Sequence, residues 1–83
     1  MTLQVASKRV AWLLKDLCVQ LGYCTAARDE ERFAQLVPRG ADAFADAVLV
    51  TEGLDPELEK GARRDVRALV AARFAQWTGE GAT

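Results

Sequence analysis

The amino-acid sequence predicts an all-α fold: one small domain of about four helices, long, short, short and long in order, packed as an orthogonal or irregular bundle. Three observations predict it. Apolar side chains recur with the 3.6-residue period over stretches that are long for so small a chain. Gly22, Pro38, Gly40, Gly53 and the Asp55-Pro56 pair punctuate those stretches where helices start and stop. No alternating run of β-branched residues offers a strand, and no repeat or low-complexity linker divides the chain. At 83 residues there is room for one core only. The domain is expected over residues 1–78, with 79–83 as a frayed C-terminal tail.

Helix one is expected over Thr2–Leu21, which contains neither Gly nor Pro and sets Leu3, Ala6, Val10, Leu13, Leu14, Leu17, Cys18 and Leu21 on one face. Gly22 follows as a left-handed cap residue, with Tyr23 supplying the hydrophobic contact behind it. Helix two is short. Thr25 is its expected N-cap, Asp29, Glu30 and Glu31 suit the positive end of its dipole, Phe33 and Leu36 face inward, and Pro38 ends it. Helix three is capped by Asp42, carries Phe44, Ala47, Val48 and Thr51 on one side, runs through Glu52 and closes at Gly53. Helix four is expected to open at Asp55-Pro56, an Asp cap followed by Pro at the first helical position, and to run to about Thr78.

Composition removes most enzyme mechanisms. The chain has no His, and its one Ser, Ser7, falls inside helix one. The residues most used for general-base and nucleophilic chemistry are therefore nearly missing, and no catalytic residue is assigned. A helical carrier domain would need a Ser at a helix start to hold its prosthetic group, which Ser7 does not provide. Cys18 and Cys24 form no Cys-x-x-Cys pair and have no His beside them, so neither a zinc site nor a redox motif is expected, and both are read as thiols. No cofactor or metal is implied. Helix capping accounts for most of the carboxylate pairs, Asp29 to Glu31 and Asp42 with Asp46.

No apolar run is long enough to span a bilayer, and residues 1–9 do not read as a secretory leader. Sparse cysteine and the missing leader make the cytoplasm the expected location, with no membrane association. The net charge of −1 gives no global attraction to nucleic acid. Charge is uneven, however: residues 41–60 hold six carboxylates and a single Lys.

Two surface patterns stand out. Val5, Trp12 and Val19 recur every seven residues on the back of helix one, with Lys8 and Lys15 at their edge. This second apolar seam is either internal, with helix one central in the bundle, or a partner surface, most simply a two-fold homodimer anchored by Trp12. Lys60, Arg63, Arg64 and Arg67 align four cations on one side of helix four. They form a solvated face paired to Glu57, Glu59 and the acidic helix three, or a docking surface for an acidic protein, or a phosphate-contacting stripe.

Helices two and three invite comparison with a DNA-reading helix-turn-helix, but helix three offers Asp42, Asp46 and Glu52 with no Lys, Arg, Asn or Gln, so it would repel the backbone. Arg73 lies within helix four's apolar stripe and needs a carboxylate from Asp16, Asp46 or Glu52. The functional expectation is a non-enzymatic protein-interaction module of unnamed pathway, homodimeric, with a second protein as partner. The alternative is a small nucleic-acid accessory or regulator using the helix four stripe.

Overall fold

A computed structural model describes residues 7–25 and 29–81, and their regular structure is entirely helical. The four helices are α1 (Ser7–Leu21), α2 (Glu30–Leu36), α3 (Ala41–Thr51) and α4 (Lys60–Gly81). The all-α, four-helix class expected from the sequence is the one found. Residues 1–6, which include Val5 and the expected start of helix one, lie outside the described residues.

Each helix ends where backbone chemistry lets it. Gly22 adopts φ +81°, and its N–H reaches the Cys18 carbonyl at 3.1 Å while the Tyr23 N–H reaches that of Leu17 at 3.2 Å. Two of α1's orphan carbonyls are thereby satisfied. Pro38 does not end the second helix abruptly: Val37–Arg39 tighten into a 3-10 turn that carries the chain to Gly40, the N-cap of α3. Asp42 sits in the first turn of α3 instead of capping it. At the far end of α3, Gly53 at φ +78° donates to Val50 at 3.0 Å, and Leu54 donates to Leu49 at 2.9 Å. Those two bonds are the Schellman arrangement, with Leu54 folded against the core.

The start of the fourth helix differs from expectation. Asp55 does cap, accepting the Glu57 N–H on Oδ1 at 2.9 Å, and its carbonyl accepts from Leu58 and Glu59 at 3.1 and 2.8 Å. These bonds close a single turn on Asp55 and go no further. The helix proper begins at Lys60, with the Arg63 N–H donating to the Glu59 carbonyl at 2.9 Å. At its other end α4 continues to Gly81, three residues past the expected stop.

The core draws on every element: Val10, Leu13, Leu14 and Leu17 from α1, Phe33 from α2, Val37 from the 3-10 turn, Phe44, Ala45, Val48 and Leu49 from α3, and Val66, Val70 and Phe74 from α4. An aromatic row threads it. Phe33 meets Phe44 at 5.1 Å between ring centroids, Phe44 meets Phe74 edge-on at 5.7 Å, and Phe74 meets Trp77 at 5.4 Å. The buried side of α3 is rotated from the expected one, since Ala45 and Leu49 join Phe44 and Val48 in the core. Thr51, assigned to that side, instead accepts a hydrogen bond from Arg32 at 2.8 Å. The cause is position: α3 touches α2, the 3-10 turn and α4, so it is covered on more than one side.

Candidate functional site

The described part of the α1 seam, Trp12 and Val19, lies at the surface. Trp12 is 59% and Val19 73% exposed, while Val10, Leu13, Leu14 and Leu17 on the opposite face are buried. The internal reading of the seam, with helix one covered on both sides, does not hold for these two residues. Among the described residues α1 packs on α2 and α4, and Lys8 and Lys15 are exposed beside the seam. The Lys15 ammonium lies 5.1 Å from the Trp12 ring centroid, a cation–π contact that holds the indole against its own helix.

The α4 stripe divides into two pairs of different character. Arg63 donates through Nε to Asp46 Oδ1 at 2.6 Å and stands 3.5 Å from Asp42, and Arg67 Nε also pairs with Asp42. Residue 63 meeting 46 while 67 meets 42 makes α3 and α4 antiparallel, with acidic and basic faces matched one turn at a time. Glu59 and Glu57, the carboxylates that helical spacing offers to Arg63 and Lys60, form no ion pair with them. Hydrogen bonding to Asp46, then the charge of Asp46, hold the Arg63 guanidinium above its ordinary basicity, with Asp42 adding to them against the cost of burial. A raised basic group contributes stability that is fully present below its ordinary titration range, so the Arg63 contribution is in place throughout neutral conditions.

Arg64 and Lys60 are free of the matched face. Arg64 has only a 3.9 Å approach to Asp65, with its side chain 82% exposed, a geometry worth close to nothing. Lys60 makes no ion pair among the described residues. Together with the Asp55 turn, these side chains shape an open groove of about 820 Å³. Pro56, Glu57 and Leu58 of the turn form one wall. Asp46 and the four cations of α4 complete it. Leu58 is 80% exposed, the most exposed large apolar side chain among the described residues.

Arg73 finds one of its three expected partners. Its Nε and Nη2 both reach Asp16 Oδ2 at 2.9 Å, with Gln76 accepting a further bond at 3.3 Å, and the pair ties α4 to α1. The thiol assignment is corrected: Cys18 and Cys24 are joined by a disulfide across Cα atoms 4.3 Å apart. The physical reason is the α1 cap, because Gly22 turns the chain back over the last helical turn and returns Cys24 to Cys18. Beside the disulfide is a smaller cavity of about 240 Å³ that touches Lys15, Thr25 and Glu30.

Sequence reasoning missed the disulfide and the groove. The groove had a legible part, the four cations, but its apolar wall depends on a turn that reads as helix. Among the described residues, no three potential ligands gather where they could hold a metal ion. No helix among them is long and apolar enough to cross a membrane. Comparison with protein-family models, with curated proteins and with solved structures finds no match.

Proposed function

We propose that this protein is a non-enzymatic helical interaction module that pairs with a second copy of itself through α1. The observation that carries the reading is the exposure of Trp12 and Val19 on the face of α1 opposite its buried side. A tryptophan at the centre of an apolar strip, rimmed by Lys8 and Lys15, has the composition of an interface anchor with a polar edge. A core of this size supplies only ~3–5 kcal/mol, so covering the seam adds stability where the chain has least. The absence of His and the single Ser support the non-enzymatic part.

The alternative, a nucleic-acid accessory acting through Lys60, Arg63, Arg64 and Arg67, is weakened by the engagement of Arg63 and Arg67 with Asp42 and Asp46. Half the stripe is already neutralised. The proposal keeps the cytoplasmic setting on sequence grounds, and the Cys18–Cys24 bond weighs against it, since reducing compartments keep such pairs as thiols. Light scattering on a sizing column tests the pairing. A mass of about 18 kDa, twice the 9.1 kDa of one chain, is expected; 9.1 kDa across the accessible concentration range removes it.

A further inference from the structure

We infer that the groove between the Asp55 turn and α4 binds an acidic peptide segment carrying an apolar side chain. Its lining holds four cations, Lys60, Arg63, Arg64 and Arg67, with Asp46 and Glu57; Asp42 and Asp46 already engage Arg63 and Arg67, so the positive surplus rests on Lys60 and Arg64. The surplus is available, because Lys60 is unpaired among the described residues and Arg64 faces solvent. Arg67, paired with Asp42, lines the groove with a half-exposed side chain. The matched Asp42 and Asp46 hold the two inner guanidiniums in place, which lowers the ordering cost of binding.

Leu58 supplies the apolar half of the groove. It stands on a turn closed by three hydrogen bonds to Asp55, next to Pro56, and it presents a fixed apolar step beside the cations. A carboxylate-rich segment with one Leu or Phe matches both halves: acidic groups on Lys60 and Arg64, the apolar side chain on Leu58 and Pro56. A phosphate backbone matches less well, since it offers nothing to the apolar step of Leu58 and Pro56 and no lining residue is aromatic to stack a base. This groove shares no residue with the α1 seam, so the inference stands apart from self-pairing.

Fluorescence polarisation of the full chain with a fluorescein-labelled ten-residue peptide of Glu and Asp around a central Leu tests it. Saturable binding is expected, with affinity falling about tenfold or more in Lys60→Glu/Arg64→Glu and about tenfold in Leu58→Asp, and lost for a peptide with Gln and Asn in place of its acids. These side chains are exposed, so circular dichroism and melting temperature stay unchanged, and the milder Arg64→Gln and Leu58→Gln give smaller losses in the same order. The solution mass is also unchanged, which separates this result from the fate of the α1 interface. Absence of saturation overturns the inference. Unaltered affinity in Leu58→Asp overturns it by reducing the effect to charge attraction, and displacement of the peptide by equimolar duplex DNA reassigns the groove to phosphates.

Discussion

Arg73 occupies a place on α4 where the periodic pattern calls for an apolar side chain, and its guanidinium is held by Asp16 with about a third of each side chain exposed. Its stem covers apolar surface while its head pairs, so Arg73→Ala removes packing as well as charge. Removing one partner strands the other at a half-covered site, so each single substitution exceeds the worth of the pair. Urea unfolding of Arg73→Ala, Asp16→Ala and the double variant should therefore give a coupling of roughly 0.5–1 kcal/mol, discounted for solvent screening. Additive losses would mean that the pair contributes nothing. This contact was legible because a cation inside an apolar stripe demands a carboxylate and few were in reach. The Cys18–Cys24 bond was not legible, since six-residue spacing says nothing until the chain's return over Gly22 is known. Closing so short a loop stabilises by about 2 kcal/mol through the unfolded chain, and Cys24→Ala or reduction should lower urea stability by that amount. Acid-quenched thiol alkylation of the protein from its native cell would report whether the bond exists there.

At the scale of elements, α1 and α3 were readable because period and punctuation agree: Gly22 and Gly53 end them in the left-handed conformation that Gly alone adopts cheaply. Nothing lies within 4 Å of a Cβ added at Gly53, so Gly53→Ala tests backbone strain without steric conflict. The left-handed penalty of roughly 1–2 kcal/mol, partly offset by a less flexible unfolded chain, predicts a loss of about 1 kcal/mol in urea unfolding. Gly61 makes the opposite case. It lies in the first turn of α4 with ordinary φ and equally open surroundings, so Gly61→Ala should gain about 0.5 kcal/mol. Equal effects of the two substitutions would refute the account of how these helices begin and end. The opening of α4 was illegible for a related reason. Asp55-Pro56 is a sound helix start and its cap forms, but the antiparallel match of α4 with α3 resumes the helix at Lys60 and leaves a separate turn. That displacement puts Leu58 beside the basic stripe, which is why the stripe could be read in sequence and its groove could not.

For the whole molecule, the decisive quantity is how stability depends on concentration. The sequence marked Val5, Trp12 and Val19 as a seam, yet periodicity alone could not separate an internal face from an external one; that required the exposure of Trp12 and Val19 in the folded chain. If two copies pair over Trp12, unfolding is linked to dissociation, and each tenfold rise in protein concentration adds about 1.4 kcal/mol per dimer. For a domain of this size, half of that per protomer corresponds to roughly 3–5 °C in melting temperature. Trp12 is 59% exposed in the single chain, so Trp12→Asp removes little packing and costs the isolated fold ~0.5 kcal/mol, chiefly the Lys15 contact. The variant should then melt at a temperature independent of concentration, matching the wild type at high dilution and falling behind it as concentration rises. A wild type whose melting temperature stays flat over three decades of concentration has no dimer to lose. A variant that melts far below the dilute wild type would place Trp12 in the core of the single chain, against its exposure.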